Sequence, residues 1–313
     1  MGSDAWLMDM TLLSKLYKLE ENKKFRKKWL EIKYANKVRL ARWLHEKHGF
    51  NVDPNSVFDI MIKRIHEYKR QLMFTFYVIH RYLRLKEMTS AQRTKVLPKT
   101  CLIGGKAAPG YISAKKIIKL IHSVADTINN DPETSGRLKL FFVPNYNVSA
   151  AELLIPASDY NEHISCAGCE ASGTSNMKFV MNGGIIIGTR DGANIEIGEE
   201  IGEENVVFFG NTVDTIEEQR QRMRTLDYKE YMPESLLQVI EEVENGRFGN
   251  DHNLSDLMNT IKNRNDYYLV GADFEAYLAA QEKVIEIFKK LNFFKILHFL
   301  RFFKFSNFLL IFY

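Results

Sequence analysis

The sequence has few of the features that mark a secreted or membrane-embedded chain. Only three cysteines occur in 313 residues. Such a small, odd number argues against a disulfide framework and for a reducing compartment. No Gly-x-Gly-x-x-Gly and no Walker A string is present, so neither a classical dinucleotide site nor a nucleoside triphosphate site is supported. No apolar run is uninterrupted for long enough to predict a membrane span, and no internal repeat is visible. Met1-Gly2-Ser3-Asp4 leads into a mixed segment, which predicts no secretory signal, and Trp6 stands where N-myristoylation needs Ser or Thr. The sequons at Asn147 and Asn253 are therefore expected to be meaningless. The net charge of +4 is too small to indicate a nucleic acid or a membrane as partner.

What is present fits a soluble globular chain: 45% hydrophobic and 26% charged residues, and length enough for about two domains. From Leu7 to His48 there is no Pro and no Gly. Leu12, Leu13, Leu16 and Tyr17, then Trp29, Ile32, Ala35, Val38, Ala41 and Leu44, recur at three- and four-residue steps. That period predicts two amphipathic helices, the second widened by Leu40 and Trp43 and closed by Gly49. Beyond the turn at Asp53–Ser56, apolar runs alternate with helical patterns. Strands are predicted at Val57–Ile62, Cys101–Ile103, Leu138–Val143, more weakly at His163–Ser165, then at Gly184–Thr189 and Val206–Gly210. Near-continuous apolar strands alternating with helices indicate an α/β fold, a Rossmann-like parallel sheet with helices on both faces. Pro109 is suited to open the helix after the second strand. Helices are expected at Leu236–Val243, Leu254–Ile261 and Phe274–Phe288. The organisation is thus a helical segment over residues 1–56, an α/β lobe over 57–290 and an atypical tail over 291–313. In that tail eight of twenty-three residues are Phe, while Gly, Ala, Pro, Asp and Glu are absent. Lys295, His298, Arg301 and Lys304 interrupt it too often for a membrane span. A basic membrane-surface helix stays open. The bias toward residues with AT-rich codons suits translated non-coding sequence better, and either way the tail is an aggregation liability.

Three stretches carry chemistry. Glu170-Ala171-Ser172-Gly173-Thr174-Ser175-Asn176-Met177-Lys178 combines helix-start residues with a Gly, which leaves backbone N–H groups open to an anion such as phosphate. One turn in comes Lys178 between Met177 and Phe179. A lysine in apolar surroundings loses proton affinity and becomes a usable nucleophile. A phosphate seat beside such a lysine is what a pyridoxal phosphate site requires, although a lysine near a helix start is more often simply solvated. Ser175 to Lys178 also spells Ser-x-x-Lys, but the companion motifs of penicillin-binding enzymes fail at Ser158-Asp159-Tyr160 and Lys99-Thr100-Cys101. The second stretch, Lys63-Arg64-Ile65-His66-Glu67-Tyr68-Lys69-Arg70, puts four cations at the carboxyl end of a strand, where open α/β sheets bind ligands. A charge cluster is ordinarily a solvated face, yet Ile65 and Tyr68 interrupt this one. The third, Cys166-Ala167-Gly168-Cys169, has thioredoxin-type spacing but lacks that motif's strand-to-helix setting, and no second pair exists to complete a zinc site.

The second stretch extended to Gln71, Ile103-Gly104-Gly105-Lys106-Ala107-Ala108-Pro109-Gly110-Tyr111, the Glu170–Lys178 segment and Gly188-Thr189-Arg190-Asp191-Gly192-Ala193-Asn194 together resemble the α-glucan (glycogen and starch) phosphorylases, in family order. Gly202-Glu203-Glu204-Asn205 extends the match, which runs more weakly from about Trp6 to about Lys289. The resemblance implies the second lobe of a two-lobed GT-B glycosyltransferase fold and a retaining transfer. Phosphate cleaves the terminal bond of an α-1,4-glucan (glycogen, starch or maltodextrin) and releases glucose 1-phosphate. It implies that Lys178 holds pyridoxal phosphate, that Lys63 lies by the cofactor phosphate, and that Gly173, Thr174 and Ser175 add N–H groups and hydroxyls, with Tyr146 as a pocket wall. Arg64 and Lys69 would grip the substrate phosphate, and Tyr68, Glu170, Ser172 and Gly173 would face the sugar. A cytoplasmic, typically homodimeric enzyme is implied, with no nucleic acid and no membrane. The first lobe of the family, with its other glucose-binding groups and regulatory sites, has no counterpart here. The chain is therefore expected to be a fragment of an enzyme, the alternative being a non-catalytic lobe that binds glucan or assembles with a full-length enzyme.

Overall fold

A computed structural model describes residues 3–19, 21–249, 252–263 and 266–290. Among them, six runs form one parallel sheet: β1 (Val57–Ile62), β2 (Lys99–Gly104), β3 (Leu138–Val143), β4 (Tyr160–His163), β5 (Ile185–Gly188) and β6 (Val206–Phe208), in the order β3-β2-β1-β4-β5-β6. The helices are α1 (Lys23–His48), α2 (Gln71–Glu87), α3 (Ser90–Arg93), α4 (Ile112–Asn130), α5 (Val148–Ala157), α6 (Ser175–Met181), α7 (Ala193–Ile201), α8 (Val213–Thr225), α9 (Tyr228–Tyr231), α10 (Glu234–Glu244), α11 (His252–Lys262) and α12 (Val270–Lys290). The Phe-rich segment 291–313 lies outside the described residues.

The continuous apolar runs follow from burial on both faces. Successive strand residues point to opposite sides of a sheet. Phe58, Ile60 and Ile62 share a core with Leu40 and Leu44 of α1, Leu154 of α5 and Phe179 of α6. Val57 and Met61 belong to the other face with Phe74 of α2, Leu120 of α4 and Tyr277 of α12. All six positions of β1 are buried.

Several sequence expectations shift. The first predicted helix is a 3₁₀ helix, Met10–Leu19. Its apolar residues Leu13, Leu16 and Leu19 are spaced by three, which aligns them on one edge of a three-residue turn. The buried stripe of α1 runs through Arg26, Trp29, Lys33, Lys37, Leu40 and Leu44, whereas Ile32 is exposed. Cations belong on that inner face because acceptors meet them: Lys37 Nζ donates to Asp159 Oδ2 and to Ser56 O, both at 2.6 Å. Pro109 lies in the turn before α4, which opens at Ile112. The fourth strand is Tyr160–His163 and not His163–Ser165.

That strand was hard to read because it is polar and nevertheless buried. Glu162 Oε1 accepts from Gln281 Nε2 at 2.7 Å and Oε2 accepts from Tyr277 OH at 3.0 Å, which fastens α12 to the sheet. Lys99 Nζ lies 3.4 Å from Asp59 Oδ2 and donates to Gln281 Oε1 at 3.0 Å. Asp59 Oδ1 has no other hydrogen-bond donor among the described residues. Burial raises both carboxyls, and for Glu162 the neighbouring Asp59 raises it further, while Lys99 pulls Asp59 back. Of the two, Glu162 is held well above its ordinary value and keeps a proton. An unfolded Glu ionises near pH 4.3, so above that pH the folded chain holds one proton more than the unfolded chain, and stability falls as pH rises toward the folded value. Glu162→Gln preserves the shape and removes the titration. Unfolding free energies from urea titrations between pH 5 and 9 should fall more steeply for the natural sequence than for the variant, by up to about 1.4 kcal/mol per pH unit. Parallel pH profiles would rule out a protonated Glu162.

Candidate functional site

The sheet order places β1 beside β4, and from there the chain winds outward in opposite directions. That is the topological switch point, outside whose carboxyl ends α/β sheets take ligands. The octapeptide Lys63–Arg70 leaves β1 there, and Ile164–Glu170 leaves β4. Cys166 N–H donates to Tyr68 O at 2.8 Å and ties the two loops. Glycine sets how closely their neighbours approach. A Cβ on Gly105 would come within 2.0 Å of Lys63 O, and one on Gly192, at φ +48°, within 2.2 Å of Glu170 O.

The four cations of the octapeptide divide by role. Arg70 is fully buried and pairs with Asp273 Oδ2 at 2.6 Å while donating to Ile164 O at 2.6 Å. It is therefore structural, which leaves Lys63, Arg64 and Lys69, the three that the resemblance assigns to phosphates. Lys69 pairs with Glu170, whose other oxygen accepts from Ser165 Oγ, and its ammonium lies 4.7 Å from the Tyr68 ring centroid. Arg64 is exposed, and Lys63 is half-buried. Lys63 Nζ lies 3.3 Å from His163 Nδ1. Burial lowers Lys63 to about 8; Lys69 lowers it too, while Glu170 and Glu162 oppose. Burial together with Lys63 and Lys69 holds His163 well below its ordinary range, so its ring is neutral. An ammonium only donates, so Nδ1 accepts and the ring hydrogen is on Nε2, a buried atom with no partner among the described residues. Burial pushes Glu170 up, but Lys63, Lys69 and Ser165 outweigh it and hold the carboxyl below its ordinary value.

His163, Ser165, Glu170, Ser175, Asn176 and Asp191 are among the residues lining a cavity of about 20 Å³. That is room for about one water molecule. Glu170 N–H donates to Asp191 Oδ2 at 2.9 Å, and Asn194 Nδ2 donates to His163 O at 3.0 Å. The structure thus brings together Lys63, Lys69, Tyr68, Glu170, Gly173 and Ser175. Sequence reasoning gave no role to His163, Ser165, Asp191 or Gly192. The Gly188–Asn194 run, singled out for its resemblance alone, held the available signal for the last two.

Lys178 is a correction. Met177 and Phe179 are buried, but Lys178 itself is exposed. Chain neighbours on a helix point about 100° apart, so apolar flanks do not enclose the residue between them. Thr174 is the N-cap of α6 without a side-chain capping bond, and its hydroxyl is exposed, as is Ser172. Tyr146 is half-buried after β3, its Cβ 3.7 Å from where a Gly104 Cβ would be.

A cofactor bearing a phosphate fits this donor set: an unpartnered Nε2–H, a lysine whose charge burial disfavours, and a second lysine paired with a carboxylate. Because Gly192 has no room for a methyl group, Gly192→Ala should push the Glu170 loop away. Denaturant unfolding should show a loss of about 1–3 kcal/mol, and unchanged stability would contradict the close packing.

The family model for carbohydrate phosphorylase matches residues 1–308. The chain is 48% identical over 294 residues to the alpha-1,4 glucan phosphorylase L-1 isozyme, chloroplastic/amyloplastic, of Solanum tuberosum, covering 92% of this chain and 30% of that protein. It is 48% identical over 301 residues to glycogen phosphorylase of Saccharomyces cerevisiae (91% and 33%) and 46% over 293 residues to alpha-glucan phosphorylase 2, cytosolic, of Arabidopsis thaliana (92% and 34%). The chain therefore spans about one third of the length of these relatives. With the switch point of its sheet built from the segments that carried the resemblance, the chain belongs to the carbohydrate phosphorylase family, whose fold is of the GT-B glycosyltransferase type.

Proposed function

We propose that this chain is the cofactor lobe of an α-1,4-glucan phosphorylase, which uses pyridoxal phosphate to transfer a terminal glucose to inorganic phosphate and yields glucose 1-phosphate. The observation that carries the reading is the convergence of Lys63, Lys69 and the His163 ring at the switch point. Lys178, exposed on α6, is the residue for covalent attachment of the cofactor. Lys63 and His163 would face its phosphate, with Thr174, Ser175 and the Gly173 N–H beside them and Tyr146 against the ring. When bound, the group supplies a second phosphate with which the substrate phosphate shares a proton.

The remaining chemistry belongs to the chain. Arg64 and Lys69 would hold the substrate phosphate by charge-assisted hydrogen bonds. Glu170 now occupies Lys69, so the pair must part before Lys69 can take an anion. Freed from Lys69, Glu170 is in place, with Tyr68 and Ser172, to accept from sugar hydroxyls. The held phosphate gives its proton to the departing sugar oxygen as its own oxygen bonds the anomeric carbon. Holding both partners at the switch point removes the entropic cost of their meeting. The relatives include one named as cytosolic and one named as chloroplastic/amyloplastic, and a cytosolic setting for this chain is part of the proposal.

Two measurements test the reading. Purified chain mixed with pyridoxal phosphate and passed through a desalting column should keep a cofactor absorbance that Lys178→Ala abolishes. Retention of the same band by the variant would discard Lys178 as the attachment point. Lys63 is charged below pH 8 and neutral above it, so the affinity of the cofactor-free chain for inorganic phosphate, which there takes the seat of the cofactor phosphate, should fall as pH rises through about 8, by up to about tenfold per unit. Lys63→Arg should flatten that profile, and a natural profile already flat from pH 7 to 9 would remove Lys63 from the phosphate site.

A further inference from the structure

Cys166-Ala167-Gly168-Cys169 takes no part in the chemistry proposed for the site. The segment turns directly off the β4 loop: Cys169 N–H donates to Cys166 O at 3.0 Å, and Gly168 takes the left-handed φ of +75° that such a turn exploits. A four-residue turn of this kind holds its ends within about 7 Å, the span that a disulfide bridges between Cα atoms. The two thiols are unequal. Cys166 is buried with Ile216, Met223 and Leu269, while Cys169 is half-buried. Arg220 of α8, fixed by a bond to Tyr267 O at 3.0 Å and by the Tyr267 ring 3.8 Å away, brings its guanidinium to Cys169. Asp191 and Tyr268 are the other ionisable neighbours.

We propose that Cys166 and Cys169 form a reactive dithiol that closes to an intramolecular disulfide by exchange with a small-molecule disulfide. The Cys169 thiolate attacks one sulfur of the small disulfide, whose S–S bond breaks and releases one thiolate, which takes up a proton. Cys166 then gives up its proton to solvent and attacks Cys169 Sγ, expelling the second small thiol. Two protein thiols and one small disulfide become one protein disulfide and two small thiols, so the electrons balance. The asymmetry suits this order. The hydrogen bond from Cys166 lowers Cys169 to about 7, against burial and with help from Arg220, whereas that same bond and burial raise Cys166. The next residue is Glu170, so the modification falls on the loop that closes over Lys69.

The test uses the full chain and oxidised glutathione. After incubation and alkylation of the remaining thiols, mass mapping should find the peptide containing both cysteines lighter by two hydrogens. Cys166→Ser, unable to complete the second step, should carry one glutathione on Cys169. Iodoacetamide at pH 7 should modify Cys169 at least several-fold faster than Cys101, which is buried in β2 and raised by burial. Arg220→Ala should slow that reaction. Modification of Cys169 no faster than Cys101, or a peptide without a disulfide and a Cys166→Ser chain without an adduct, would overturn the proposal. The alkylation comparison on the natural sequence decides the matter even if a variant fails to fold.

Discussion

One buried guanidinium holds this lobe together at the place where it matters. Arg70, in a left-handed backbone conformation at φ 60°, enters α2 and points its side chain under the sheet's carboxyl ends. It meets Ile164 O from the β4 loop and Asp273 from α12, and Asp273 in turn accepts from the N–H and side chain of Asn211 after β6. Loops from three strands and one helix thereby converge on a single charge pair. Burying such a pair gains little by itself, but removing one partner strands the other in the interior at a cost of about 3–5 kcal/mol. The anchor fixes the Lys69 end of the octapeptide relative to the β4 loop, while the Lys63 end is fixed by β1 and by the bond from Lys63 N–H to Gly104 O.

A second constraint comes from side chains that are missing. Gly105 lets the β2 loop press on the carbonyl of Lys63, and Gly192 lets the β5 loop press on that of Glu170. The two loops that carry the cations and the carboxylate are thus backed by main chain at distances no other residue tolerates. The small cavity lined by Glu170, His163 and Asp191 lies beside that close packing, and Glu170 is paired with Lys69. A charge pair across a cleft is also easily exchanged: an incoming anion replaces one negative group on Lys69 by another.

The sequence made five of the six strands legible, because a strand buried on both faces must be apolar at every position, and β1, β2, β3, β5 and β6 largely are. It hid β4, since Tyr160 and Glu162 pair with Tyr277 and Gln281 far away in the chain, and Asn161 Nδ2 donates to Ile185 O. The same blindness affected α1, whose inner face carries lysines matched to Asp159 and to carbonyls. At the site, contiguous motifs could be seen because loops at strand ends are local. What each motif closes against could not. Lys178 looked enclosed by its chain neighbours but faces solvent, and the cavity wall at His163 looked like ordinary strand.

The order of the strands also bears on how the lobe comes into being. β1, β2 and β3 pair with one another within residues 57–143, whereas β1 meets β4 only across a hundred residues, and Arg70 meets Asp273 across 203. At about 5–20 residues per second of synthesis, the carboxylate follows its guanidinium by roughly 10–40 s. Until β4 follows, the β1 edge has no partner strand, and through the whole interval Arg70 has no Asp273. The ribosome therefore makes the cation-bearing loop early and the carboxylate that aligns it late, and the arrival of α12 sets the moment at which Arg70 is first paired.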